Sequence, residues 1–317
     1  MTAATVVAPG RVVMQQVSLP EPGPGQVRVR LEGCGVCASN VPVWEGRPWF
    51  TYPLEPGGLG HEGWGRVDAV GEGVREVQLG ERVAFISEHA YAEYDVTSAS
   101  SVVVLPSELD DEPLPGEPLG CAMNVMRRSG IEAEQTVGII GIGFLGALLT
   151  QLARGAGARV IAMARRPAAL ATARAMGADD TVTMDDHERV IGEVQRLTGG
   201  RWCDVVIEAS GAQWPIDLAG EVVKVRGRLV IAGYHQDGAR QVNMQLWNWR
   251  GLDVVNAHER EPSIYRAGIE AAVQAMVEGR LRPGGLYTHR FRLGQLGEAL
   301  DMTRDRPEGF GKALMVM

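Results

Sequence analysis

Cysteine is scarce in this 317-residue chain: the four thiols, Cys34, Cys37, Cys121 and Cys203, cannot supply a disulfide framework. No apolar run approaches the roughly 18 residues needed to cross a bilayer. The opening MTAATVVAPGRVV lacks the charged start and apolar core of a secretory leader. Charge is spread out, with 31 basic against 39 acidic residues (net −8) and no dense run of either sign, so nucleic acid or an anionic membrane is not the expected partner. There is no internal repeat and no low-complexity tract. These absences predict a reduced, cytoplasmic protein acting on a small molecule.

Glycine, by contrast, is abundant. Forty-one residues are about twice the usual share and favour many tight turns, while 45% hydrophobic residues suffice for two cores. Residues 1–120 read as β-rich, with short runs such as Val27–Leu31, Gly65–Val70 and Val102–Leu105 punctuated by glycine and proline. From 121 to 257 the pattern changes to strands alternating with helices, which predicts a parallel sheet covered on both faces. The strands drawn there are Thr136–Ile140, Arg159–Met163, Asp204–Glu208, Arg228–Ala232 and Leu252–Asn256. Residues 258–317 return to mixed structure, so the first domain is expected to draw on both ends of the chain.

The strongest local signal is VGIIGIGFLGALLTQLARGAGARVIAMARR. Gly141, Gly143 and Gly146 form G-x-G-x-x-G directly after a strand and at the start of a helix. The first glycine permits the tight turn, the second lets backbone approach a pyrophosphate, and the third lets helix and strand pack closely. With both flanking strands and the helix present, dinucleotide binding is preferred to a structural glycine turn. An NAD site wants an acidic side chain at the end of the second strand, to accept hydrogen bonds from the ribose hydroxyls. This chain offers Ala164, Arg165 and Arg166 instead. Two guanidiniums without a carboxylate favour the 2′-phosphate of NADP, against the plainer reading of solvated arginines opening a helix.

Upstream lie EGCGVCASN (Glu32–Asn40) and GLGHEGWGRV (Gly58–Val67), with GEPLGC (Gly116–Cys121) further on. Cysteine, histidine and glutamate are the donors of a zinc ion with three protein ligands and one open position. Spacing alone leaves other readings open. Cys34-x-x-Cys37 also fits a redox pair or half of a structural zinc site, although no second C-x-x-C completes the latter.

In their order along nearly the whole chain, GVCASN, GHEGWGRVDAVGEGV, GERV, AEY, EPL, GIGFLG, DVVIEASG, GRLVIAG and THRF resemble the medium-chain dehydrogenase/reductase superfamily, especially its zinc-type alcohol and polyol dehydrogenases. The resemblance implies a GroES-like β-barrel catalytic domain (1–120 plus 258–317) with an inserted Rossmann domain, a doubly wound parallel sheet over 121–257. It implies one catalytic zinc on Cys37 and His61 with Glu62 and Glu117, and Ser39 as the hydroxyl that starts the proton relay. Phe144, Leu145 and Ser210 join the glycines and arginines as expected NADP(H) contacts. No structural zinc is expected, because the chain runs from GERV almost directly into YAEY without a four-cysteine lobe. A homodimer or homotetramer is expected.

The sequence also departs from the family. Asn40 stands where aspartate usually orients the metal histidine, so imidazole orientation and ligand basicity are expected to weaken. Pro42 replaces a relay histidine, which leaves proton exit to water or to another group such as His89 or His258. Trp44, Arg47, Trp49, Phe50 and Tyr52, with His258, Glu259 and Arg260, are the expected substrate walls; aromatic walls suit either an aryl alcohol or a sugar face, and the polar His258-Glu259 pair tilts the expectation toward a polyol or sugar-like alcohol. Trp247 and Trp249 are expected in the core or at a subunit contact. The competing functions are a metal-free quinone or enone reductase and a non-catalytic NADPH-binding protein.

Overall fold

Short runs of buried, largely apolar residues at both ends of the chain make the first unit a sheet structure. The computed structural model describes residues 1–317 and divides them into two units, Met1–Gly120 with Arg260–Met317, and Cys121–Glu259. In the first, β1 (Thr2–Ala8) and β2 (Arg11–Gln16) form an antiparallel hairpin. The spine is the ten-residue β3 (Gln26–Gly35), antiparallel to β4 (Gly63–Val70), β6 (Tyr94–Ser98) and β15 (Lys312–Val316). Beyond β4 come β5 (Arg82–Phe85) and β7 (Val102–Val104), and β14 (Tyr287–Arg292) runs parallel to β15. The short α1 (Val41–Trp44) follows β3, while α8 (Pro262–Val277) and α9 (Leu296–Asp305) belong to the returning segment. Val27, Val29, Leu31, Phe85 and Tyr91 pack with Leu296, Leu300 and Met315, so both chain ends fill one core.

The chain passes from one unit to the next along α2 (Gly116–Ser129). The second unit holds β8 (Thr136–Ile140), α3 (Phe144–Gly155), β9 (Arg159–Ala164), α4 (Pro167–Ala175), β10 (Asp180–Thr183) and α5 (His187–Leu197). It continues through β11 (Cys203–Glu208), α6 (Gln213–Val222), β12 (Val223–Ile231), α7 (Met244–Arg250) and β13 (Asp253–Asn256). All six strands are parallel, in the order β10-β9-β8-β11-β12-β13. This is the doubly wound sheet expected of the central segment. The order reverses between β8 and β11, and open α/β sheets bind ligands at the carboxyl ends of their strands at such a reversal.

β10 was not among the strands drawn from the sequence. It is four residues long, only Val182 is buried, and it occupies the sheet edge, so it carries too little apolar signal to be read from pattern. No helix is long and apolar enough to cross a membrane.

Candidate active site

β3 delivers the chain to Cys37, whose extended backbone (φ −84°, ψ 144°) precedes a single 3-10 turn, Ala38–Asn40. His61 and Glu62 lie at the entrance to β4, the strand paired with β3. This pairing brings the ligand atoms of Cys37, His61 and Glu62 within 4.8 Å of one another. Glu117, in the first turn of α2, stands outside that trio, but its charge acts on His61. Ser39 lies in the 3-10 turn, partly buried.

Glu62 is fully buried and faces Lys312 of β15, whose Nζ lies 2.8 Å from Oε1 and 2.7 Å from Oε2. The Oε2 contact is close but poorly aligned, leaving that oxygen without a directed hydrogen bond. Burial by itself would lower the pKa of Lys312, but Glu62 and Cys37 more than offset this and raise it, so the ammonium persists. Burial would likewise depress His61. The hydrogen bond and charge of Cys37, with the charges of Glu117 and Glu62, instead push it up to about 10. The imidazole therefore sits in a surplus of negative charge. A thiol, an imidazole and carboxylates beside one another are the donor set that a divalent cation takes, displacing the thiol proton as it binds.

A pH prediction follows for the metal-free chain. A folded-state pKa raised above the unfolded value gives stability that is complete below about pH 6.5 and fades as pH rises toward 10. Thermal melts of chelator-stripped protein should show Tm falling over that window, and His61→Gln should flatten the trend. An unchanged slope in the variant would remove His61 as its source.

The other sequence cysteines divide by burial. Cys34 and Cys203 are core residues and Cys121 is partly exposed. Burial, with the charge of Glu62, pushes the Cys34 thiol well above its usual range, which suits an inert side chain better than a redox partner.

On the nucleotide side, Gly141 follows β8 with φ +96°, a conformation that side chains disfavour. A Cβ on Gly146 would lie 2.0 Å from the Gly141 carbonyl oxygen, so only glycine lets α3 start this close to the turn. Gly143, the N-cap of α3, has open space on its Cβ side, which leaves its backbone approachable. Phe144 and Leu145 form the first turn of α3. Arg165 is exposed just beyond β9, and Arg166 is the N-cap of α4.

Ser210, an expected nucleotide contact, is tied to Glu208. Its N–H and its Oγ both donate to Glu208 Oε1 at 2.7 Å, so only hydroxyl lone pairs remain for a ligand. Glu208 ends β11 fully buried, and Gly211 N–H donates to the same oxygen at 2.9 Å. Glu208 Oε2 meets His235 Nε2 at 3.0 Å, and Arg240 Nε donates to His235 Nδ1 at 3.0 Å. This network pins together the loops that follow β11 and β12. Sequence reading missed it because Glu208 looks like an ordinary strand residue until its distant partners are known.

Several expected wall residues have other duties. Trp44 is 3% exposed and its Nε1 donates to Asp301 at 2.9 Å, which makes it a core anchor. Glu259 lies 3.8 Å from Arg127, so it is engaged in an ion pair and is not a free reader of hydroxyls. His258 stacks on the exposed Tyr234, with ring centroids 5.5 Å apart. Trp49 is exposed, whereas Trp247 is buried and Trp249 is 87% exposed.

Comparison with known proteins agrees with this architecture. Residues 23–107 match the model of the alcohol dehydrogenase GroES-like domain, and residues 145–274 the zinc-binding dehydrogenase model. A sorbitol dehydrogenase of Gallus gallus is 28% identical, covering 97% of this chain and 94% of its own. One from Halalkalibacterium halodurans is 26% identical over 92% of each chain. A protein of Sinorhizobium meliloti described as a zinc-binding dehydrogenase, solved bound to NADP, superposes with a TM-score of 0.84 at 27% identity, covering 100% of this chain and 99% of that one. By its two matched domains and the order of its motifs, the chain belongs to the zinc-type alcohol dehydrogenases of the medium-chain dehydrogenase/reductase superfamily.

Proposed function

We propose that this chain is a zinc-dependent oxidoreductase that moves hydride between NADP(H) and a secondary alcohol or its carbonyl, with a polyol or sugar-like molecule as substrate. The observation that carries the reading is the convergence of Cys37, His61 and the buried Glu62 within 4.8 Å, in surroundings that drive the imidazole toward positive charge. Cys37 and His61 would hold the ion, with Glu62 and Glu117 as the carboxylates at hand. Bound there, zinc acts as a Lewis acid that favours the alkoxide form of a substrate oxygen.

The chain's own residues supply the rest. Ser39 accepts the hydroxyl proton as hydride leaves carbon for the nicotinamide, and returns it in the reverse direction. Pro42 has no titratable group, so beyond Ser39 the proton passes to water or to another titratable side chain. The turn Gly141–Gly146 and the first amides of α3 receive the pyrophosphate, in the manner of helix N-termini. The polyol assignment draws on the two sorbitol dehydrogenases and the NADP assignment on the solved relative.

Cofactor choice rests on Arg165 and Arg166, at the end of β9 where no carboxylate stands. Replacing both with alanine is expected to weaken NADP binding roughly tenfold or more, the value of a charge-assisted hydrogen bond or two. NAD binding should be nearly unaffected. Titration of both nucleotides checks this, and an equal loss for each would refute the role. The broader test is a panel of polyols, simple alcohols and aldehydes, run with both nucleotides on enzyme whose zinc has been quantified. Full activity in zinc-free protein would sink the proposed chemistry.

A further inference from the structure

We propose that Asn40, Tyr91 and the Leu59 carbonyl form a positioning device that fixes the tautomer and direction of the His61 imidazole. The proposal rests on reading Cys37 and His61 as a metal site, and it reverses the expected consequence of lacking an acid at position 40.

His61 Nδ1 lies 2.8 Å from the Leu59 carbonyl oxygen. A carbonyl only accepts, so Nδ1 carries the proton, and Nε2 is the nitrogen left for Cys37 and a cation. The carbonyl does for the ring what a carboxylate does elsewhere. Its direction is held at a cost: Leu59 adopts φ +74°, a conformation that a residue with a Cβ disfavours. Such a conformation persists only where neighbours determine it.

Those neighbours are present. Asn40, 2% exposed, directs one Nδ2 hydrogen to the Leu59 oxygen at 3.3 Å and the other to Tyr91 Oη at 2.7 Å. Tyr91 is fully buried and passes its own proton toward the Gly35 carbonyl at 3.4 Å. Asn40 is the branch point, donating outward on both sides, and both of its amide hydrogens are used. The Leu59 oxygen, with two lone pairs, receives the amide and the imidazole together.

An aspartate at position 40 would place a second acceptor 3.3 Å from that oxygen, with no proton between them. Restoring the family's usual acid should therefore loosen His61. By the same geometry, asparagine is the side chain that fits this carbonyl.

The test compares wild type, Asn40→Asp and Tyr91→Phe by zinc competition against a chromophoric chelator. Exchange protection of the His61 Nδ1 proton, read by NMR on nitrogen-labelled histidine, is measured with and without zinc. NADPH affinity serves as the control for folding, since its loop lies in the other unit. Expected are a protected Nδ1 proton in wild type, zinc binding weakened roughly tenfold or more with faster proton exchange in Asn40→Asp, and a smaller loss of the same sign in Tyr91→Phe. Equal or tighter zinc binding by Asn40→Asp, or an unprotected Nδ1 proton in wild type, would overturn the proposal. If wild type binds no zinc, the metal reading falls, while the proton measurement still decides the positioning claim. Should Asn40→Asp fail to fold, the wild-type and Tyr91→Phe measurements decide it.

Discussion

Cys37→Ser is expected to abolish zinc retention and lower kcat/KM by at least about 10²–10³-fold, the scale of losing one transition-state stabilising contact. A serine hydroxyl stays protonated at neutral pH and is a poor ligand for a borderline-soft ion, whereas a cysteine loses its proton outright on coordination. Cys37 lies in the first unit and the glycine turn in the second, so NADPH should bind the variant about as well as wild type. Metal analysis, nucleotide titration and turnover on one preparation separate these outcomes. Retained turnover without metal would contradict the ligand assignment and favour a metal-free reductase. Lost nucleotide binding would mean the variant had misfolded.

The second large effect concerns stability. Lys312→Met removes the ammonium that contacts both oxygens of a fully buried carboxylate, and removing one partner of a buried ion pair destabilises by about 3–5 kcal/mol. The loss should appear in denaturant melts of metal-free protein. Pairing it with Glu62→Gln should recover a substantial part, because an amide needs no counter-ion and the volumes match. A double variant no better than Lys312→Met alone would show that packing around the lysine stem, and not charge, set the cost. Zinc should narrow the gap between wild type and Lys312→Met by supplying positive charge beside Glu62, which the variant lacks and wild type already has.

What could be read from the sequence follows the range over which the physics acts. The glycine turn was legible because Gly141, Gly143 and Gly146 answer to constraints inside one β8–α3 junction, where Gly146 meets the Gly141 carbonyl. The alternation of strand and helix was legible for the same reason. Cys37 and His61 were readable one by one, and it took β3–β4 pairing to bring them together. Lys312 was not readable, since its partner lies 250 positions away and a lysine at the start of the last strand looks like surface. The Glu208–His235–Arg240 network was hidden likewise, because a carboxylate at a strand end reveals neither its burial nor its partners. Asn40 was noticed by its residue type, but its contact with the Leu59 carbonyl that also meets His61 Nδ1 appears only after folding. Trp44 was assigned to a ligand wall because aromatic residues serve both uses, and its bond to Asp301 is visible only after folding.

The placement of Lys312 on the final strand has a bearing on biogenesis. On the ribosome, Cys37 and His61 emerge long before β15 exists to be inserted between β3 and β14. A nascent chain thus exposes a thiol and an imidazole to any soft metal in its surroundings before the ammonium that balances Glu62 has been synthesised. Contacts so distant in sequence form slowly, so the electrostatic frame of the pocket closes at the end of folding.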